Sequence, residues 1–116
     1  MPKRARLAGL YRIVEMEQWD EDFLDLVTPA YIKIGADGPG RFQFGAVDGL
    51  MDCRSTMRDG KHAIDFSWEG FDEGDPVDGR GWTVLDGDTL RGHLYFHMGD
   101  DSSFVAKRQE IAPGEQ

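Results

Sequence analysis

Residues 70–81, GFDEGDPVDGRG, bring Asp72, Glu73, Asp75 and Asp78 together with a single cation, Arg80. Carboxylate oxygens at that density are the raw material of a calcium or magnesium site. Their spacing departs from the D-x-D-x-D-G calcium loop, however, and solvated charge is the reading they support. Arg80 is expected to pair with Glu69 or Asp75 and hold the segment in place. His93 and His97 would share one strand face at about 13 Å from each other, too far to chelate one metal ion, and His62 beside a turn is expected at the surface. The sequence contains no Gly-x-Ser-x-Gly elbow, P-loop or H-E-x-x-H pattern. Ser55, Ser67, Ser102 and Ser103 carry no sequence cue to a base. No catalytic residue, metal ligand or cofactor is therefore assigned.

The elements that must position these groups follow from size and composition. A chain of 116 residues, 40% hydrophobic and 30% charged, has the profile of one globular domain, and its 15 glycines favour tight turns and short strands over long helices. Cys53 is the only cysteine, so no intrachain disulfide forms; a buried, inert thiol in a reducing cytoplasm is expected. No apolar run reaches the roughly 20 residues of a membrane span, and the basic start MPKRARLA lacks a following hydrophobic region, so neither export nor membrane insertion is expected. Twenty-two acidic against 13 basic residues give a net charge of −9. That field repels nucleic-acid phosphates and invites basic partners.

Residues 1–8 read as a flexible basic tail, 9–110 as the domain and 111–116 as a second tail. Residues 11–17 alternate as a first strand. Residues 19–27 form the best helix candidate: Asp20 caps it, Glu21 and Asp22 meet its positive end, Phe23, Leu26 and Val27 share a face, and Pro29 ends it. Strands are expected over 30–35, 41–47, 50–57, 62–69, 82–85, 89–98 and 104–108, with turns at 37–40, 48–49, 58–61 and 86–88 and one long loop at 70–81. Ile64, Phe66 and Trp68 alternating with Asp65, Ser67 and Glu69 mark the clearest half-buried strand. The fold class is mainly β: an antiparallel up-and-down meander of about seven or eight strands forming a closed or nearly closed barrel, with one short helix after the first strand.

Gly9-Leu10-Tyr11 opening the first strand, with Phe104-Val105-Ala106-Lys107-Arg108 in the last, resembles the calycin-type barrels that include lipocalins. In those folds a Gly-x-Trp aromatic lies under a basic side chain of the last strand. Here Tyr11 replaces Trp, and the resemblance implies Lys107 or Arg108 as the cation. Phe66-Ser67-Trp68-Glu69-Gly70, Gly79-Arg80-Gly81-Trp82 and Gly99-Asp100-Asp101-Ser102 also look like a group of small uncharacterised bacterial proteins, a likeness that implies a bacterial, cytoplasmic origin and carries no activity over to this chain.

Three functional expectations follow. The first is a non-catalytic binding module whose barrel mouth, formed by Trp68, Glu69, Arg80 and Trp82 near the Trp19 helix and over Tyr11, receives a small apolar or aromatic ligand or a protein segment. The second is an acidic regulator that presents Asp20, Glu21, Asp22, Asp25, Asp72, Glu73, Asp75 and Asp78 to a basic, nucleic-acid-binding protein. A contiguous acidic patch favours it; scattered acids do not. The third is an enzyme acting through Glu69 and nearby carboxylates, which requires a deep cleft and a strongly raised carboxyl pKa. A monomer and a homodimer are both compatible with the pattern.

Overall fold

The computed structural model describes residues 7–36 and 39–109, so most of both expected tails and the Asp37-Gly38 pair of the first turn lie outside the described residues. Leu7, within the stretch read as a tail, is fully buried. Eight antiparallel strands follow one another in chain order and close into a barrel: β1 Gly9–Met16, β2 Tyr31–Ile34, β3 Gly40–Phe44, β4 Val47–Arg58, β5 Lys61–Asp72, β6 Asp75–Asp86, β7 Thr89–Phe96 and β8 Asp101–Arg108. The β1–β8 seam runs from Tyr11 opposite Arg108 to Met16 opposite Phe104, with a bulge between Ile13 and Glu15. That bulge shifts the alternation by one residue, so Tyr11, Ile13 and Met16 all point inward. Among the described residues, no helix is long and apolar enough to cross a membrane.

The helix α1, Glu21–Leu24, lies between β1 and β2 and is a single turn, shorter than expected. Asp20 caps it by accepting from the Phe23 N–H at 3.0 Å. Asp25 ends it: one carboxylate oxygen accepts from the Ala30 N–H at 2.8 Å and the other pairs with Arg12 at 2.6 Å. The chain is thereby drawn off the helical path towards β2, which buries Leu24 and leaves Leu26 and Val27 exposed instead of on the inner face.

Three further boundaries differ from expectation, and in the first two the reason is a glycine. The expected turn at Asp48-Gly49 lies within β4; the actual turn is at Gly45-Ala46, where Gly45 has φ +56°. Gly49 faces inward beneath rings: a methyl group there would stand 2.6 Å from Phe42 and 2.9 Å from Trp68. The expected loop at 70–81 is a hairpin of two twelve-residue strands that turns at Glu73-Gly74, both with positive φ. Its Gly81 faces inward against Phe66, leaving a methyl only 2.5 Å of space. The strand expected over 89–98 stops at Phe96 and turns through Met98 (φ +55°) and Gly99, so His97 does not share a strand face with His93.

Large rings opposite absent side chains fill the barrel. Phe42, Phe44, Trp68 and Phe96 pack edge-on or stacked at 5.0–6.5 Å between ring centres. Trp19 lies over Phe44 and Phe96 at 5.1 and 6.2 Å and is stacked with Phe23, so the helix segment plugs that end. Cys53 is buried on the inner face of β4, as expected for a structural thiol.

Candidate functional site

Meander order decides which connections share a rim. The helix segment (17–30), the β3–β4 turn with the start of β4 (45–48), the β5–β6 turn with the strand ends beside it (69–78) and the β7–β8 turn with the first residue of β8 (97–101) all lie at one end. Backbone hydrogen bonds link them to one another and, at Ser103, to β8. Gly45 N–H donates to Leu24 O at 2.8 Å, Glu73 N–H to Ala46 O at 3.2 Å, His97 N–H to Asp78 O at 2.7 Å, and Glu17 N–H to Ser103 O at 3.3 Å.

These four segments contain five, one, five and two acidic residues respectively: Glu17, Asp20, Glu21, Asp22 and Asp25; Asp48; Glu69, Asp72, Glu73, Asp75 and Asp78; Asp100 and Asp101. They contain no Lys or Arg. The two acidic groups singled out from sequence, on the helix and around residue 75, therefore flank the same β3–β4 turn. Three of these carboxylates are already engaged: Asp25 by Arg12 and the Ala30 amide, Asp20 by the Phe23 amide and Asp101 by His93. Four large apolar side chains stand exposed on the same rim: Leu26 (62%), Val27 (65%), Phe71 (52%) and Met98 (94%). Sequence reasoning missed them; Leu26 and Val27 carried the signal of a buried helix face, and Met98 that of a strand.

The residues expected to form a barrel mouth separate into three places. Trp68 is inside the barrel at 3% exposure, its indole N–H donating to Tyr95 O at 3.2 Å. Trp19 is half-buried in the plug. Tyr11 is fully buried at the opposite end, where its hydroxyl donates to Leu7 O at 2.8 Å and the Arg108 guanidinium lies 4.9 Å from its ring centre. Arg108 is thus the stacking cation, and it also donates to Ala8 O. Burial raises the Tyr11 pKa above the ordinary tyrosine value; Arg108 pulls it the other way with the smaller effect.

Glu69, Arg80 and Trp82 face outward on β5 and β6, so they line no mouth. Arg80 pairs with neither Glu69 nor Asp75: it lies over the Tyr95 ring at 4.9 Å, because Tyr95 is its direct cross-strand partner on β7. Trp82 carries Arg58 at 4.3 Å. His93 stacks on Tyr95 and hydrogen-bonds Asp101 at 2.5 Å. His62 is half-buried rather than surface-exposed, with its Nδ1 lacking a partner. Among the described residues no group of three or more His, Cys, Asp or Glu is placed to hold a metal ion. Compared with protein-family models, curated proteins and solved structures, the chain shows no match.

Proposed function

We propose that this barrel is a non-catalytic interaction module whose acidic rim docks a basic, partly apolar segment of another protein. The observation that carries this reading is the gathering of thirteen acids on the four connections of one end and the strand ends beside them, with no Lys or Arg in those segments, together with exposed Leu26, Val27, Phe71 and Met98 on the same segments. Charge complementarity steers encounter and selects register, while apolar side chains at the centre of a polar rim supply the area that holds the complex. A lysine- or arginine-rich amphipathic segment meets both demands. It is the chemistry that nucleic-acid-binding proteins present to phosphates, which keeps the acidic-regulator reading in front.

The reading of a ligand held inside the barrel has less support, because aromatic rings already fill the space over the inward glycines. A test is an NMR titration with a synthetic amphipathic peptide rich in lysine and leucine. Shifts confined to the amides of 17–30, 45–48, 69–78 and 97–101, weakening steeply with added salt, support the proposal. Shifts scattered around the barrel, or binding insensitive to salt, overturn it.

A further inference from the structure

The outer face of β4–β7 carries a second feature, bordering the acidic rim where Tyr95 pairs with Asp101 and opposite to it in charge. Strand register sets Asp52, Ser67, Arg80 and Tyr95 side by side in one row, and Arg54, Asp65, Trp82 and His93 in the next. Ser67 is the short member of its row, and a groove of about 470 Å³ lies over it, bordered by Arg54, Arg58, Arg80, Trp82 and Tyr95. With Asp52 and Asp65 included, three arginines against two aspartates leave this lining positive on a chain of net charge −9.

The arginines are held in different ways. Arg58 is fixed twice, over the Trp82 ring at 4.3 Å and against Asp65 at 3.2 Å. Arg54 keeps only a loose approach to Asp52 at 3.7 Å. Arg80 is fixed on Tyr95, yet among the described residues no carboxylate lies within 4.0 Å of its guanidinium. A guanidinium stacked by its face keeps its N–H edge available and has already surrendered much of its side-chain freedom, so binding an oxyanion orders it further at little loss.

From this arrangement we infer that the groove binds a phosphate-bearing small molecule, its phosphoryl group seated over Ser67 between Arg58 and Arg80. A single carboxylate is satisfied by one arginine fork. A tetrahedral dianion has the oxygens to accept from two guanidiniums and a hydroxyl together, which is the donor set this groove offers. The groove's lining includes none of the rim's acids, so either proposal can fail alone.

The test is an NMR titration with phenyl phosphate, read at the Ser67 amide and the Trp82 indole N–H, with the Trp19 indole as the internal reference at the acidic rim. Saturable shifts at Ser67 and Trp82 with Trp19 still are expected, together with binding about tenfold weaker in Arg80→Gln and unchanged in Arg91→Gln, whose side chain lies outside the groove. Benzoate is expected to bind about tenfold more weakly than phenyl phosphate. Arg80→Lys, which keeps the charge and loses the fork, should fall between wild type and Arg80→Gln. Shifts that never saturate, equal binding of benzoate, or an Arg80→Gln variant that folds cooperatively and binds as wild type would each overturn the assignment.

Discussion

The two ends of this barrel are closed by different chemistry. At the acidic rim a one-turn helix brings Trp19 and Phe23 over Phe44 and Phe96, and the seal is a stack of rings. At the far end the seal is the Tyr11 hydroxyl on Leu7 O, with Arg108 over the same ring and aliphatic side chains such as Ile34, Ile64 and Leu90 fully buried or nearly so. Lys and Arg also divide unevenly: Arg58, Lys61, Lys107 and Arg108 lie at this far end, and none lies on the acidic connections. An aromatic seal tolerates exposed polar neighbours because its stabilisation comes from area. A seal built on one buried hydroxyl is small and sensitive to that group's proton.

That contrast can be broken most severely by Phe44→Ala, which empties a fully buried ring position under Trp19. A loss of about 3–5 kcal/mol is expected by urea denaturation. A loss below about 1 kcal/mol would mean the ring stack is not what closes the acidic end. Tyr11→Phe at the other end leaves the Leu7 carbonyl without its donor and should remove about 1–2 kcal/mol. The same variant sharpens the comparison through pH. Burial raises the folded-state Tyr11 pKa, so the unfolded chain ionises first. The contribution of the neutral hydroxyl is complete below the ordinary tyrosine pKa of about 10, and it is lost as pH rises from there through the folded value. Wild type should therefore weaken above about pH 10 more than Tyr11→Phe; equal slopes for the two would sink this account.

Asp20→Ala removes the cap of α1 and should lower stability by about 1 kcal/mol, enough to detach Trp19 from the ring stack and raise its solvent quenching. The smallest effect on stability belongs to Asp22→Lys with Asp75→Lys, expected within about 0.5 kcal/mol of wild type for exposed positions. Its effect on binding the basic peptide should be large, and unchanged peptide affinity in this double variant would separate the rim's charge from its proposed use.

Much of the fold was legible wherever inward and outward residues alternate with apolar side chains, as in Phe42 and Phe44 or Ile64, Phe66 and Trp68. The misplaced turn at 48–49 and the loop expected over 70–81 are failures where the inward residue is glycine. Gly49, Gly79 and Gly81 keep strict period-two spacing with Asp48, Asp78 and Arg80, but glycine among acids has the composition of a loop. The pairing that makes them core positions, with Phe42, Phe66 and Trp68 on neighbouring strands, exists only across the sheet. The acidic residues were visible individually. Their meeting on one rim follows from the meander, which sends alternate connections to the same end, and from hydrogen bonds between segments distant in sequence. The Arg80–Tyr95 stack depended on a register that no local pattern fixes.

The seam between β1 and β8 bears on how the chain reaches this state. Every other pairing joins strands adjacent in sequence, and most are hairpins with short turns, so they can zip from local encounters on the microsecond scale of about 1–10 μs each. The seam alone must bring Tyr11 to Arg108 across nearly the whole domain. Its closure carries the largest loop entropy and comes after the sheet has curled enough to present both edges. The amides of Ile13 and Ala106 at this seam are thus expected to protect late in refolding and to exchange first when the barrel opens, while the β4–β5–β6 hairpins remain paired.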